Sequence, residues 1–426
     1  MLDLRTIRQE PDRVRAGLTA KKGGEHLDAI LALDGEHRRL LHEVEAKKAL
    51  RNARSQDVPR LKQEGGDVTA LLDEMKSLAE EIKGFDTRTR AIEIELDAKL
   101  QWLPNLPHDS VPRGDDASAN VEVRRWGQIP PESFRPKPHW EIGEELRLLD
   151  LRGATKISGS GFVVFTGDGA RLQRALIQFM LDYHRERHGF LEVSTPYLVR
   201  RESMFGTGQL PKMEEDMYHC GVDDLFLIPT AEVSITNLFR DDESLTAADL
   251  PIYRMGYSPC FRREAGTYGK ETRGLVRVHQ FDKVELVKLT TPERSYEELE
   301  TLVNAAEAIL QALELPYRVL ALATGDLSFA AAKCYDLEVW AAAEGRWLEV
   351  SSCSNFEAFQ ARRMGLRFRN AEGKLIHPHT LNGSGLALSR VYVALLENNQ
   401  TERGTVRIPT VLRPYLGGME ELGGAA

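Results

Sequence analysis

The sequence predicts an α+β protein in which a long antiparallel coiled-coil hairpin precedes an antiparallel sheet flanked by helices. Two observations support this fold class. Apolar residues recur at alternating spacings of four and three between residues 71 and 99, as they do in coiled coils. In the second half of the chain, several strand-like runs follow one another without a helix between them, which favours an antiparallel sheet over a doubly wound parallel one.

The hairpin is predicted within residues 27–100, which contain a single proline, Pro59. Seven of the nine positions on its main seam are apolar, and the nine are Leu71, Met75, Leu78, Ile82, Phe85, Thr89, Ile92, Leu96 and Lys99. A weaker seam precedes it at Ile30, Leu33, His37, Leu40 and Val44. Pro59 and the pair Gly65-Gly66 are expected to break the helices between the two seams. About thirty residues per helix give an arm of roughly 45 Å.

Positive charge collects at the far tip of this arm, although the whole chain has a formal net charge of −9. Residues 47–62 hold one acid, Asp57. Their basic residues are Lys47, Lys48, Arg51, Arg54, Arg60 and Lys62. A generic hairpin of this kind serves as a dimerisation or spacer coil. The basic tip instead favours contact with the phosphate backbone of a nucleic acid.

Three segments are expected along the chain. Residues 1–103 form an N-terminal domain with the arm, residues 104–139 form a proline-rich linker, and residues 140–426 form a mixed α/β domain. Helix-like runs lie near 169–188, 292–314 and 384–399. Strand-like runs are "GFVVF", "LFLIPT", "VRVHQFDKVELV", "CYDLEVWA" and "RWLEVSSCS".

Composition limits the class of protein. The sequence contains no run of eighteen apolar residues, so no transmembrane helix is predicted. The first residues lack the apolar core of a secretion signal. Four cysteines, none in a CxxC pair, predict neither a disulfide framework nor a structural zinc site. We therefore expect a cytoplasmic protein without zinc that makes no contact with a membrane.

Several suggestive motifs have plainer interpretations. The glycine-rich runs at 158–162 and 167–172 lack the ending of a P-loop and a complete GxGxxG, so a tight hairpin is expected there. His184 and His188 are four apart on a predicted helix, but no third metal ligand is evident. The run "HPH" at 377–379 is interpreted as part of a loop.

The stretch "FRREAGTYGKETRGLVRVHQF", residues 261–281, is predicted to form a strand, a loop and a second strand. Arg262 and Glu264 would share one face of the first strand, and Arg277, Phe281 and Glu285 one face of the second. Such a surface offers guanidinium groups for phosphate, a ring for base stacking and carboxylates for amino groups. These groups suit ATP held beside an amino acid. The alternative is a solvated face of an edge hairpin.

These residues resemble a known family. "FRRE" followed by "RVHQF" is similar to the second signature of class II aminoacyl-tRNA synthetases, and "TLNGSGLALSR" (380–390) is similar to the third. "GFLEVSTPYLVR" (189–200) resembles the first, with Pro196 at the proline of the dimer interface. Together with "PTAEVS" (229–234), "EVSSCSNFEAFQARRM" (349–364) and the arm, the match narrows to seryl-tRNA synthetases of the bacterial type.

The resemblance implies a homodimer that joins L-serine to ATP and then transfers the seryl group to tRNA(Ser), and also to tRNA(Sec). Arg262 and Arg390 are the implied catalytic residues. Arg262 would hold the α-phosphate and the serine carboxylate, Glu264 the adenine amino group, and Phe281 the base. The implied ATP-binding set is Arg262, Arg263, Glu264, Arg277, Val278, Phe281, Glu349, Val350, Ser351, Ser352 and Arg390.

The resemblance also implies a magnesium ion on Glu349 and Ser352, since Mg²⁺ prefers oxygen ligands. The serine-binding set is Thr230, Ala231, Glu232, Arg262, Glu285, Thr380 and Ser384. A pocket that hydrogen-bonds a hydroxyl group rejects alanine, because its buried polar groups would lose their partner. The basic residues of the arm tip become the implied tRNA contacts.

Two residues depart from the family pattern, namely Arg263 and Ser389, where a small polar residue and a glycine are common. Strand alternation would turn Arg263 away from ATP, and we expect it, with Lys270 and Arg273 of loop 265–274, near the tRNA acceptor end. Two rival functions are open. The first is an adenylating ligase that loads a small amino acid onto a carrier protein, and the second is a non-catalytic tRNA-binding relative.

Overall fold

The computed structural model describes residues 1–129, 134–265 and 274–424, and the chain divides into two compact units, residues 1–104 and 105–426. The first unit is helical, with α1 (Leu4–Gln9), α2 (Pro11–Ala20), α3 (Leu27–Gln63) and α4 (Thr69–Leu100). No helix in the described part of the chain is long and apolar enough to cross a membrane.

The two long helices α3 and α4 form the predicted hairpin. The buried seam of α4 contains Leu78, Ile82, Thr89, Ile92 and Leu96, all of which the spacing predicts. The hydroxyl of Thr89 donates to the carbonyl oxygen of Phe85 at 2.9 Å, so this buried polar group is satisfied within its own helix. At about 1.5 Å per residue, the 37 residues of α3 span about 55 Å.

The expectation that Pro59 breaks the first helix is wrong. Helix α3 continues through Pro59 and ends at Gln63. Proline removes one backbone hydrogen bond and crowds the carbonyl of the preceding turn. Pro59 is exposed, so water can reach the carbonyl that loses its partner, and the helix continues for one further turn.

A buried carboxylate joins α1 to the base of the arm. Asp34 on α3 accepts from Arg8 Nε at 2.9 Å and from Arg8 Nη2 at 2.7 Å. Arg38 Nε also donates to it, at 3.1 Å. The side chain of Asp34 is only 5% exposed, so the two guanidinium groups replace its lost hydration.

The second unit is built on an eight-stranded sheet in the order β1-β9-β10-β11-β14-β8-β7-β2. Every neighbouring pair is antiparallel except β2 and β7, which are parallel. The strands of this sheet are β1 (Val121–Trp126), β2 (Leu191–Glu192), β7 (Ile252–Phe261), β8 (Gln280–Thr290), β9 (Tyr317–Ala321), β10 (Lys333–Ala341), β11 (Arg346–Asn355) and β14 (His379–Ala387).

Shorter strands and the helices surround this sheet. The short strands are β3 (Leu198–Arg200), β4 (His219–Cys220), β5 (Leu225–Leu227), β6 (Leu245–Thr246), β12 (Phe368–Arg369), β13 (Leu375–Ile376), β15 (Val406–Arg407) and β16 (Glu421–Leu422). The helices are α5 (His139–Glu145), α6 (Leu151–Ser158), α7 (Gly167–His188), α8 (Arg201–Thr207), α9 (Ala231–Thr236), α10 (Ser295–Ala312), α11 (Phe359–Arg363) and α12 (Leu388–Asn398). The antiparallel sheet with flanking helices confirms the predicted fold class.

The main core lies between the sheet and helices α7, α10 and α12. Two glycines on β14 allow this close packing. A Cβ atom on Gly383 would come within 2.8 Å of Cys353 Sγ, and one on Gly385 within 2.9 Å of His184 Nε2. The glycine-rich run is therefore a strand, and the helix expected near 384–399 begins only at Leu388.

Other predicted elements also change. The run "GFVVF" (161–165) forms no strand and contributes only an isolated bridge from Phe165 to Leu149. The proline-rich segment expected as a linker falls, from Asn105 onward, in the second unit, and it supplies edge strand β1. Its prolines lack the backbone N–H that regular strands need, but the residues of β1 pair with β9.

Asp34 provides a test of how the first unit is held together. We expect Asp34→Asn to lower the free energy of unfolding of this unit by about 2 kcal/mol, because its three charge-assisted hydrogen bonds are weakened or lost. Hydrogen exchange of the α1 amides in the full chain would measure the loss. Asp28→Asn is the control, since its pair with Arg15 is solvent-exposed and should matter little.

The pH dependence of this effect follows from the hydrogen bond with Arg8, which with the nearby charges lowers the pKa of Asp34. The stabilisation is therefore present above the ordinary aspartate pKa of about 4 and is lost as the pH falls through the lowered value. Equal protection of α1 in Asp34→Asn and in the unmodified chain at neutral pH would contradict this account.

Candidate active site

A cavity of about 480 Å³ lies on the second unit. Its walls come from β8, β11 and β14, from the segment after β7, and from the starts of α9 and α12. The expected site residues that line it are Thr230, Glu232, Arg262, Glu264, Arg277, Val278, Phe281, Glu349, Val350, Ser352, Ser384 and Arg390. Three antiparallel strands thus bring together residues from four separate sequence motifs.

Arg262 lies over the ring of Phe281, with its guanidinium carbon 5.2 Å from the ring centroid. Its backbone is anchored on both sides by His279. The N–H of Arg262 donates to the His279 carbonyl at 2.9 Å, and His279 Nδ1 lies 3.0 Å from the Arg262 carbonyl. The cation and the ring form one continuous surface at this end of the cavity.

The glycine-rich run at 158–162 supports this arrangement from behind. The N–H of His279 donates to the carbonyl of Gly161 at 2.8 Å, and the rings of Phe162 and His279 lie 5.4 Å apart. A Cβ atom on Gly161 would come within 2.4 Å of the His279 ring. The stretch is a close backbone support for the arginine. The tight hairpin expected at 158–162 and 167–172 is not formed, because α6 ends at Ser158 and residues 167–172 begin α7.

Glu264 and Arg277 form an ion pair with Oε2 and Nη1 2.6 Å apart. The sequence-based reason for placing Arg262 and Glu264 on one strand face is wrong, because β7 ends at Phe261. Glu264 has φ of 51°, the left-handed conformation, so strand alternation does not apply. The turn, and not the strand, directs both side chains to the cavity.

Arg263 has a different position from its two neighbours. Its N–H donates to the carbonyl of Asp216 at 3.0 Å, and its guanidinium carbon lies 5.9 Å from the ring centroid of Tyr218. It does not line the cavity. Lys270 and Arg273 were expected near the tRNA acceptor end, but residues 266–273 lie outside the described part of the chain.

Arg390, at the start of α12, is held over β11. Its Nη1 donates to the carbonyl of Glu349 at 2.8 Å and lies 3.4 Å from the Glu349 carboxylate. Its Nε donates to the carbonyl of Val276 at 3.1 Å. Ser389 also lines the cavity. Arg390 and Arg262 thus bring two guanidinium groups to the same cavity.

Oxygen ligands suited to a divalent cation cluster near Glu349. Ser352 lies opposite Asp336 in the register of β10 and β11, and its hydroxyl is 3.0 Å from Cys334 Sγ. Burial, followed by the negative charge of Glu349, raises the pKa of Asp336 well above its usual range. Crowded carboxylates beside a hydroxyl fit Mg²⁺, whose charge would offset their repulsion.

The opposite end of the cavity is acidic. Glu232 is 5% exposed, and burial, followed by the charge of Glu285, raises the pKa of Glu232 to about 7. Its hydrogen bond with Gln360 and the charges of Lys283 and Arg262 act in the opposite direction. Because the pKa of Glu232 is raised, its neutral form is accessible near pH 7, and a bound cation would strongly favour the ionised form.

Glu285 lies just beneath this end and is fully buried. Its Oε2 accepts from Thr230 Oγ1 at 3.0 Å and from Lys283 Nζ at 2.6 Å. Its Oε1 accepts from Asn382 Nδ2 at 2.9 Å. Thr230 in turn accepts from the N–H of Glu232 at 3.2 Å, which caps α9 and sets the position of that glutamate.

Besides Arg263, four of the expected residues do not line the cavity. Glu285 and Thr380 are buried behind its wall, and Ala231 is buried in the first turn of α9. Ser351 is also buried, and its hydroxyl donates to the carbonyl of Ser384 at 2.7 Å. These residues shape the site from behind its lining.

The sequence analysis missed Lys283, Asn382, Gln360 and Asp336. Period-two alternation could have found the first two, because Lys283 lies two positions from Glu285, and Asn382 two positions from Ser384. Gln360 and Asp336 show no such local signal. Gln360 reaches the site because α11 packs against α8 and β14, and Asp336 reaches it because β10 pairs with β11.

Metal-ligating atoms also meet outside the cavity, at His139, Glu344 and Glu397. His139 Nδ1 lies 2.8 Å from Glu397 Oε1, and its Nε2 accepts from the N–H of Leu275 at 3.0 Å. Glu397 Oε2 accepts from the N–H groups of Ala343 and Glu344. These bonds occupy the ligand atoms of His139 and Glu397, so the cluster is a hydrogen-bonded junction.

In the first unit, most basic residues of the arm tip are paired with carboxylates of the arm itself. The pairs are Lys47–Glu81, Lys48–Asp86, Arg54–Glu74 and Arg60–Asp57. Within the described residues, no ion pair is found for Arg51 or Lys62. Exposed pairs of this kind are weak and open readily to a phosphate group.

Two family models match the chain. Residues 1–107 match the seryl-tRNA synthetase N-terminal domain. Residues 217–399 match the tRNA synthetase class II core domain (G, H, P, S and T). The two matched regions are the arm and the cavity-bearing sheet.

Whole-length comparisons agree with these matches. The serine--tRNA ligase of Caldicellulosiruptor bescii is 55% identical over 98% of this chain and 99% of its own. The structure of seryl-tRNA synthetase from Pyrococcus horikoshii complexed with ATP is 38% identical, with a TM-score of 0.95 over 100% of both chains. The cytoplasmic serine-tRNA ligase from Naegleria fowleri in complex with AMP is 28% identical, with a TM-score of 0.91 over 99% of this chain and 98% of its own. The chain therefore belongs to the seryl-tRNA synthetase family of class II serine--tRNA ligases.

Proposed function

We propose that this protein activates L-serine with ATP to form seryl-adenylate and then transfers the seryl group to tRNA(Ser). The observation that carries the proposal is the polarity of one cavity. Arg262, Arg390 and Phe281 supply guanidinium groups and a ring at one end, and Glu232 and the Glu285 network lie at the other. ATP and a small amino acid fit such a site when the α-phosphate lies between the two ends.

At the nucleotide end, Phe281 stacks on adenine and Glu264 accepts from its amino group. Arg262 must leave the face of Phe281 or share it with the base, since its guanidinium covers the ring in the free protein. Arg277 and Arg390 hold the outer phosphates. Guanidinium groups suit this role because they stay charged and bind phosphate oxygens in pairs.

Glu349 and Ser352, with Asp336 behind them, would hold a magnesium ion. When bound, the ion neutralises phosphate charge and orients the leaving group. The chain's own part is to keep Ser352 in place through Cys334 and to keep Arg390 beside Glu349.

Catalysis then rests on positioning and electrostatics. The serine carboxylate is already ionised, so its attack on the α-phosphate requires no general base. Negative charge grows on the phosphate oxygens as the bond forms, and Arg262 stabilises that charge more than it stabilises the bound substrates.

At the amino-acid end, Glu232 and Thr230 receive the serine ammonium group. Glu285, Thr380 and Ser384 surround its hydroxyl group. Glycine and alanine would leave the polar groups unpaired, and the extra methyl group of threonine would have to be excluded by shape.

The transfer step involves the arm. We propose that its basic tip contacts tRNA(Ser), and tRNA(Sec) as well, through phosphate groups and shape more than through base edges. The protein is expected to act as a cytoplasmic homodimer, with Pro196 at the interface. A carrier-protein ligase is less favoured because such relatives lack the arm. A non-catalytic relative is less favoured because the chain keeps the arginines of the cavity.

ATP–pyrophosphate exchange without tRNA tests the activation step. We expect exchange with serine and with none of the other nineteen amino acids. Arg262→Gln should lower kcat by about 10²- to 10³-fold, because a donor to the growing charge is lost. Arg240→Gln, an arginine outside the cavity, is the control. Exchange chiefly with alanine or glycine would favour the carrier-protein ligase. No exchange with any amino acid would favour the non-catalytic relative.

The raised pKa of Glu232 predicts the pH dependence of serine binding. Below about pH 7 this carboxylate takes up a proton in the free protein and no longer attracts the ammonium group. The kcat/KM for serine should therefore fall as the pH drops through this value, while the bound ammonium group protects kcat. Glu232→Gln should lower kcat/KM and abolish its fall at low pH, which is the acidic limb of the pH profile. If the acidic limb persists in the variant, it comes from a group other than Glu232.

The arm tip predicts a selective effect on the tRNA step. Arg51→Ala combined with Lys62→Ala should lower kcat/KM for tRNA and reduce the salt dependence by about one unit of slope per lost phosphate contact. Serine-dependent exchange should not change. Arg39→Ala, which removes an exposed arginine paired with Glu43 on the same helix, is the control. An equal loss in both assays would contradict the proposed division of labour.

A further inference from the structure

Gln360 is a buried amide that joins three parts of the acidic end. It lies on α11 and is 1% exposed. Its Nε2 donates to Glu232 Oε1 at 2.7 Å and to the carbonyl of Thr207 at 3.1 Å. Its Oε1 accepts from Thr380 Oγ1 at 2.7 Å. Both N–H groups and the oxygen therefore have partners, and none of these bonds faces solvent.

The direction of these bonds follows from the charge of Glu232. An ionised carboxylate only accepts hydrogen bonds, so the amide nitrogen of Gln360 must face it. The amide oxygen then faces Thr380, which donates its only hydroxyl proton to it. Thr380 can therefore accept a further hydrogen bond but cannot donate one.

The neighbouring carboxylate has the same bias. Glu285 already accepts from Thr230, Lys283 and Asn382 and can offer only lone pairs to a ligand. Two groups that can only accept suit a ligand hydroxyl that donates its proton. They are poorly matched by a methyl group, which leaves them without a donor.

We propose that Gln360 is a positioning residue for amino-acid selectivity, which holds the Glu232 carboxylate toward the substrate ammonium group and restricts Thr380 to accepting a hydrogen bond. This inference rests on the proposed function, because it assigns serine as the ligand of the acidic end. Gln360 touches the residues that bind the substrate and need not touch the substrate itself.

The charged and polar groups that face Glu232 come from three directions. Glu285 and Lys283 act on it from β8 and Arg262 from the turn after β7, while the neutral amide of Gln360 donates to it from α11. Burial and Glu285 favour the neutral form of Glu232, whereas Gln360, Lys283 and Arg262 favour the ionised form. Loss of the amide should therefore favour protonation of Glu232 at a higher pH.

The test is Gln360→Met in the full chain, since methionine keeps the length of the side chain and removes its polar atoms. In serine-dependent exchange, we expect the KM for serine to rise about 10- to 100-fold. The KM for ATP should change less than about twofold, because nucleotide contacts are untouched. The acidic limb of kcat/KM should move to higher pH, and the preference for serine over alanine should fall.

Gln400→Met is the matched control. Gln400 is 9% exposed, lies outside the cavity, and makes three hydrogen bonds to the backbone of Lys137 and Glu397. Its loss should cost a comparable number of buried hydrogen bonds without changing the KM for serine, the acidic limb or the preference for serine.

Gln360→Glu keeps the inference testable if the methionine variant fails to fold. A glutamate at this position removes the amide donor and adds a negative charge beside Glu232, so the KM for serine should rise and the acidic limb of kcat/KM should move to higher pH. A purely structural role would leave the position of the acidic limb unchanged.

The outcomes separate the two proposals. Serine-dependent exchange in the unmodified chain, with the KM for serine and the limb unchanged in both Gln360 variants, would overturn the role of Gln360 alone. No serine-dependent exchange in the unmodified chain would overturn the proposed function, and the role of Gln360 with it.

Discussion

The site depends on placing two buried carboxyl groups, those of Glu232 and Glu285, beside each other in a low-dielectric environment. Burial, followed by the charge of Glu285, favours the neutral form of Glu232. The structure surrounds them with donors, namely Lys283, Thr230, Asn382 and Gln360, so that hydrogen bonds replace the lost water. The negative charge that these donors do not offset makes this end of the cavity attractive to an ammonium group.

The sheet is what allows such a cluster to exist. Glu285 lies in the centre of β8, between Gly256 of β7 and Ser384 of β14. On one face, period-two alternation places charged and polar side chains toward the cavity, while helices α7, α10 and α12 cover the core. Backbone hydrogen bonds on both sides hold the strands rigid, so the polar groups need little reorganisation when a ligand arrives.

Sequence patterns predicted much of this site because strand alternation is local. Phe281, Lys283 and Glu285 share a face for that reason. The same reasoning failed at Arg262 and Glu264, because β7 ends one residue earlier and Glu264 has a left-handed backbone. Pro59 was also misjudged, since the exposed end of a long helix can tolerate a missing hydrogen bond.

The sequence by itself determined the hairpin seam, the order of the strands along the chain and the residue types of the cavity. These follow from periodicity and from motifs whose members lie within a few residues of one another. Only the tertiary structure decided which distant groups meet. Gln360 reaches Glu232 from 128 positions away, so no local pattern could pair them. It also decided how the arm tip is charged, because the carboxylates that neutralise Lys47, Lys48 and Arg54 lie on the other helix of the hairpin.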